Sequence, residues 1–479
     1  MPQTYTNALS ASAALSLLLA AWAAAPGAQA QQANRNQPQQ TRKLVSQSIL
    51  PSYTYHNLGL VNDGSTSGSG VNNAGQVTGS ILGSSNSAFL SDANGGTIHD
   101  LGRLGGSYSS GNSVNNSGQV VGTGALLSNA SHALLSEANG GTLHDLGTLG
   151  GLYSSGYGVN TTGQVTGSAA TASGDSHAFL SDANGGSFHD LGTLGGSYSE
   201  GLSVNDKGQV TGDASTLGGN SDAFLSGING GALRDLGSLG GGSSRGSGVN
   251  NAGQVVGSST ITINNPYTMH AFLSDPDGGA LHDLGTLGGT FSSARGINST
   301  GQVVGVASAG DFSYRAFLFT GGRMLDLNTL LTNSPGGGVI LSGANGISST
   351  GFITGAVYDP ATGKNSAFLL TPNMPVLTVA AADSAASNGT RQISITVTDN
   401  GAAGAMNVRV LGAALNGAVT SSSLPTAPAG LQPGQSQKTV LVFPASATGR
   451  AVLRVSGDYT DPTTGRTGQF GTTLRLSLP

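Results

Sequence analysis

The chain has 479 residues, enough for two or three domains, yet charged residues make up only 9% of it. The formal net charge of −5 comes without any basic stripe, so a phosphate-backbone footprint is missing and no nucleic-acid partner is expected. With 0 cysteines, disulfides, thiolate metal sites and a lipid anchor on an N-terminal cysteine are excluded too.

Residues 1–30 read as an export signal. Residues 13–25 form an apolar run too short to span a bilayer comfortably, and Ala28-Gln29-Ala30 offers an A-x-A cleavage site. No Lys or Arg precedes the run, so an uncleaved membrane anchor is the alternative. Residues 31–52, rich in Gln and Asn, predict a flexible linker. Beyond the signal, no stretch is apolar and long enough to predict a membrane span.

From there the chain repeats itself. The motif [Gly/Ser]-[Val/Ile]-Asn-x-x-Gly-Gln-Val-x-Gly starts at Gly70, Ser113, Gly158, Ser203, Gly248 and Gly296, with a degenerate seventh copy at Gly346, in steps of 43, 45, 45, 45, 48 and 50 residues. Two glycines recur in every copy, as Gly75 and Gly79 do in the first. The first follows Asn-x-x, the requirement of a tight turn closed at positive φ. Gln-Val-Val-Gly then supplies a short strand. A second hairpin follows in each copy: residues 177–181 as one arm, 182–186 as the turn and 187–192 as the other arm in the third. Four short strands per repeat of this length predict a β-propeller blade, with a stacked β-solenoid as the alternative.

The two ends of the array complement each other. The seventh repeat runs through Ser366-Ala367-Phe368-Leu369-Leu370 and lacks a fourth strand, while an orphan fourth-strand motif, Tyr55-His56-Asn57-Leu58-Gly59, precedes the first repeat. Pairing the orphan with the last repeat predicts a seven-bladed β-propeller over residues 53–373, closed by its N-terminal strand. After residue 373 the repeat vanishes. Short apolar runs at 376–379, 391–397, 405–411, 438–443, 451–455 and 472–478 predict an immunoglobulin-like β-sandwich over residues 374–479, an all-β chain throughout.

The repeats resemble the HAF repeats of bacterial extracellular repeat proteins. His-Ala-Phe stands at 177–179 and 270–272, Asp-Leu-Gly-Thr-Leu-Gly-Gly at 145–151, 190–196 and 283–289, and residues 325–328 resemble that family's terminal copy. The resemblance spans roughly residues 53–372 and implies an exported, extracellular or envelope protein; it implies no activity. The Thr398-Asp399-Asn400-Gly401 turn and the corner at 431–436 look like bacterial immunoglobulin-like modules, for which a spacer role is the expectation.

No catalytic or metal site and no cofactor are predicted. Equivalent histidines belong to different repeats, where polar contacts between or within blades explain them. The turn at 181–187 resembles the Asp-box turn of sialidase-type propellers but lacks its tryptophan, and Glu137 and Glu200 are the only glutamates beyond the signal. Candidate ligand contacts are the aromatics at matching positions in the Leu-Gly-Gly-x-Tyr-Ser connections, Tyr108, Tyr153, Tyr198 and Phe291, whose alternative role is packing at the repeat junction. The predicted function is a monomeric, exported, non-catalytic platform for a glycan or cell-surface protein. A propeller glycosidase or lyase and a purely structural envelope protein are the rivals.

Overall fold

The computed structural model describes residues 50–83, 86–262, 268–387, 390–401, 403–424, 429–444 and 449–478. The predicted export signal and nearly all of the predicted linker lie outside these residues. The described chain is all-β, with short 3-10 turns between strands and no α-helix among the described residues.

The fourth repeat, whose strands share an eight-stranded sheet with those of the third, shows how the sequence builds one four-stranded unit. Strand Gly195–Val204 pairs with Val210–Thr216, that strand with Ser221–Gly227, and that one with Gly231–Asp235, all antiparallel. Gly208 closes the first turn at φ 66°, its N–H donating to the Asn205 carbonyl at 3.0 Å. The second recurrent glycine answers to space rather than to φ. A Cβ on Gly212 would be driven into the carbonyl oxygen of Glu200, where the first strand bulges between Gly201 and Ser203. The second turn is a 3-10 turn, Ile228–Gly230, with Asn229 left-handed, tighter than the plain hairpin loop the sequence suggests. Its amides at Asn229 and Gly230 donate to the carbonyls of Lys207 and Gly208, so both tight turns lie on one face.

Each sheet buries its neighbour's apolar side. Phe224, Val210 and Ala214 of the fourth repeat form one cluster with Ala178 and Leu180 of the third, and Phe272 and Val255 of the fifth join Ala223 and Leu225 of the fourth. The phenylalanine of the His-Ala-Phe motif is therefore core: Phe179, Phe224, Phe272 and Phe317 are 0% exposed. Burying each stabilises the fold by roughly 1.5–3 kcal/mol.

Hydrogen bonds stitch successive sheets at two levels. At the turn face, Asn205 Nδ2 donates to the Asn250 carbonyl at 2.9 Å, and the same bond joins Asn72 to Asn115, Asn115 to Asn160, Asn160 to Asn205, Asn250 to Asn298 and Asn298 to Ser348. Deeper in, the third-strand Ala N–H donates to a serine hydroxyl of the next repeat, as Ala178 does to Ser199 at 2.8 Å. The junction from seventh repeat to first has the same chemistry. Ala367 N–H donates to Thr66 Oγ1 at 2.8 Å, Asn345 Nδ2 to the Gly68 carbonyl at 2.7 Å and Thr350 Oγ1 to the Asn73 carbonyl at 2.9 Å. The first strands of the repeats thus neighbour one another in cyclic order, Ser65–Val71 meeting both Ser109–Val114 and Ala344–Ile347. The orphan segment supplies the seventh sheet's missing strand: Tyr53–Gly59 pairs antiparallel with Lys364–Pro372, Tyr55 opposite Leu370 and Gly59 opposite Ala367.

The C-terminal region forms two sheets. One holds Leu377–Ser387, Thr390–Asp399 and Ser436–Pro444; the other holds Ala405–Leu415, Gly449–Thr460 and Thr467–Leu478 with the short strands Ala418–Val419 and Ala429–Leu431. Ile393, Ile395 and Leu441 from the first meet Val408, Leu453 and Val455 from the second in one core. The described residues make one compact unit. The loop after Asp461 packs onto the sixth repeat: Gln302 Nε2 donates to the Thr463 carbonyl at 2.7 Å and Thr300 Oγ1 to the Thr464 carbonyl at 3.1 Å.

Candidate functional site

The cyclic order of the first strands leaves an axial channel. At the turn face it widens into a cavity of about 190 Å³ rimmed by the asparagine turns. A second cavity of about 220 Å³ continues inward, and Val71, Val159, Val204, Val249, Ile297 and Ile347 line both, forming the waist between them. Period-2 alternation along each first strand then chooses what faces the channel beyond the waist.

Residues 69, 112, 157, 202, 247, 295 and 345 occupy one such position: Ser, Asn, Tyr, Leu, Ser, Arg and Asn. One step further out, residues 67, 110, 155, 200, 245, 293 and 343 are Ser, Ser, Ser, Glu, Arg, Ser and Gly. Repeats that agree almost residue for residue in their turns and cores disagree here. In a repeat protein the shared positions hold the scaffold together, and the divergent ones are free to carry recognition.

Two charged groups of that wall contrast. Arg245 is satisfied: its Nη2 meets Glu200 Oε2 at 2.7 Å and its Nε lies 3.4 Å from Asp213 Oδ1. Tyr198 donates its hydroxyl to the same Glu200 oxygen at 3.2 Å, and Ser221 donates to Asp213 at 2.9 Å. Burial and the Glu200 charge push the Tyr157 and Tyr198 phenols up, so both remain protonated donors. Carboxylates and a tyrosine are ingredients of glycosidase chemistry. Here Arg245 and Tyr198 both occupy one oxygen of Glu200, so the group acts as a cross-brace in the wall.

Arg295 is different. Its Nη1 donates to Asn345 Oδ1 at 2.6 Å, and no carboxylate of the described residues lies within ion-pair range of it. The surrounding wall lowers its pKa through desolvation, although water reaches it from the mouth. It still remains cationic at neutral pH. Beside it opens a cavity of about 530 Å³ lined by Phe291, Tyr314, Val306, Ala356, Ser67, Ser342 and Asn345.

The four aromatics proposed from sequence differ in their surroundings. Tyr153 is 58% exposed, Tyr108 is 37% exposed with its hydroxyl bonded to Ser131 at 2.8 Å, and Tyr198 is bound into the Glu200 group. Of the four, Phe291 lines the 530 Å³ cavity, edge-on to Tyr314 with ring centroids 5.8 Å apart. Glu200, Arg245 and Arg295 were not among the candidate ligand contacts offered by the sequence. The repeat spacing carries a signal for the first two, because Arg245 follows Glu200 by one 45-residue period and so stands beside it.

The histidines pair inside single repeats. His132, His177 and His270 contact Asp145, Asp190 and Asp283 at 2.7–2.9 Å, and His99, His189 and His282 contact the turn carboxylates Asp92, Asp182 and Asp275 at 2.8–3.0 Å. Among the described residues no three His, Asp or Glu side chains gather as a metal would need.

No protein-family model matches the sequence, and no curated protein does. Among solved structures, the putative TolB from Agrobacterium tumefaciens aligns over 49% of this chain and 88% of its own, at 14% identity and a TM-score of 0.38. TolB from Acinetobacter baumannii aligns over 49% of this chain and 65% of its own, at 15% identity and a TM-score of 0.34. The chain described here is an all-β repeat protein, with its repeats arranged around an axial channel.

Proposed function

We propose that the seven repeats form a seven-bladed β-propeller of the HAF-repeat kind with an immunoglobulin-like spacer behind it, and that the chain is an exported, non-catalytic binding platform of the bacterial envelope or exterior. The observation that carries this reading is the location of repeat-to-repeat divergence. Turns and cores keep one chemistry around the whole array, while the channel wall and the mouth opposite the asparagine turns change it residue by residue. Export rests on the apolar run and A-x-A site in residues 1–30. The ligand meets the mouth away from the turns, where Arg295, Tyr314 and Phe291 are accessible. No membrane-long apolar helix is present among the described residues.

Purified residues 31–479, applied to a glycan array and in parallel incubated with the same polysaccharides, test the reading. Saturable binding without product release is the expected outcome. Hydrolysis that disappears in Glu200→Gln would replace it with the glycosidase reading, and silence on every glycan and protein surface offered would favour a structural envelope role.

A further inference from the structure

Arg295 is exposed at the mouth of the channel, where its charge is open to a ligand. Arg245, Arg315 and Arg409 each have a carboxylate partner, Arg409 through a two-bond fork to Asp458 at 2.6 and 2.9 Å. Arg295 has a neutral amide instead. Asn345 accepts one of its five N–H donors and is itself held by its bond to the Gly68 carbonyl at 2.7 Å, so it orients the guanidinium without neutralising it. The seventh repeat also makes room. Where most repeats carry a serine, position 343 is glycine, and a Cβ there would stand 3.2 Å from Arg295 Nη1. The cleared space continues into the cavity of about 530 Å³.

The rest of that cavity is amphipathic. Tyr314, 55% exposed, and Phe291 stand edge to face as one wall; Val306 and Ala356 add apolar surface, and Ser67 and Ser342 bring hydroxyls. The volume lies inside the ~300–1,000 Å³ range of small-ligand sites. An aromatic wall suits the C–H face of a sugar ring, the hydroxyls suit its own hydroxyls, and a planar guanidinium suits one carboxylate bidentately. A phosphate, with nearly twice the charge, would meet a single cation here.

We propose that this cavity is a subsite for a uronic-acid residue of an acidic oligosaccharide, Arg295 holding the sugar carboxylate and the Phe291–Tyr314 pair holding the ring. The inference deepens the binding-platform reading and rests on it. The ligand's carboxylate replaces water on the guanidinium, so binding weakens as ionic strength rises.

Calorimetric titration of residues 31–479 with trigalacturonate, trimannuronate and a hyaluronan tetrasaccharide, each beside its methyl-esterified or neutral counterpart, tests it. At least one acid binds, and its ester binds about tenfold more weakly or worse. Arg295→Gln removes that preference, while Arg295→Lys, which retains charge but loses the fork, lies between the two. Tyr314→Ala weakens acid and ester alike. Failure of all three acids to bind overturns the proposal, as does an Arg295→Gln protein, folded by circular dichroism, that still prefers acid to ester. Should Arg295→Gln fail to fold, an Arg295→Lys protein that binds as the wild type does overturns it. Binding of neutral glycans that ignores Arg295, or of a carboxylate-terminated peptide in preference to every sugar, ends this proposal and leaves the platform reading standing.

Discussion

Asn205 offers the sharpest test of how the repeats hold together. It is 4% exposed and makes four side-chain bonds: Oδ1 accepts from the amides of Lys207 and Gln209, both at 3.0 Å, and Nδ2 donates to Gln209 Oε1 and to the Asn250 carbonyl, both at 2.9 Å. At roughly 0.5–1.5 kcal/mol net for each bond, truncation to alanine removes about 2–6 kcal/mol. Because Gln209 is itself buried, its amide is left without an acceptor, which places the expected loss near ~4 kcal/mol. The control is Asn116→Ala on the same face, where the lost bond is a single exposed one from the Asn73 amide at 3.1 Å, expected to cost below about 1 kcal/mol. Urea unfolding followed by far-ultraviolet circular dichroism reads both, since the single tryptophan, Trp22, lies outside residues 31–479. Equal losses in the two variants would refute the argument: water entering the turn-face cavity would then replace the ring bonds as fast as they are cut.

Three further outcomes follow from individual groups. Tyr53 is fully buried and its hydroxyl has no partner among the described residues, so Tyr53→Phe should raise unfolding free energy by about 1 kcal/mol; a loss on the same urea curve would mean that the oxygen is hydrated. Asp222 stands where other repeats have the histidine of the His-Asp pair, and burial together with the Asp235 charge pushes its carboxyl pKa up. Ionising it costs more in the folded chain than in the unfolded one, a cost absent below the ordinary carboxylate pKa and complete above the raised native value. Asp222→Asn should therefore gain on the wild type as pH rises from about 4 to about 7, and a pH-independent difference in melting temperature would sink the assignment. Gln302→Ala removes the buried bond to the Thr463 carbonyl and should cost about 1–3 kcal/mol while speeding amide exchange within residues 461–466; unchanged exchange there would show that the loop is held by other contacts.

What could be read from sequence followed from local rules repeated many times. Asn-x-x-Gly turns and apolar third strands obey neighbour-scale sterics, so Gly208 at φ 66° and the buried Phe224 are both visible in one repeat's residues. The pairing of residues 55–59 with the last repeat is readable only because its two halves lack each other. The C-terminal strands were read short. Gly449–Thr460 runs well past 451–455 because glycine and aspartate, ordinarily turn residues, sit inside it: Phe470 across the pair lies over Gly457, and Asp458 is held by Arg409. The cavity beside Arg295 was invisible for another reason. It depends on three different repeats, the first, sixth and seventh, converging, and on a glycine at 343 whose importance is the side chain it lacks.

The pairing of Tyr53–Gly59 with Lys364–Pro372 also sets a timetable. A ribosome makes the first of these segments some three hundred residues before the second, so the latch stays open until almost the whole array exists, and the early strand must wait unpartnered. On the proposed export route this delay would be useful: what crosses would be an unlocked string that closes only on arrival.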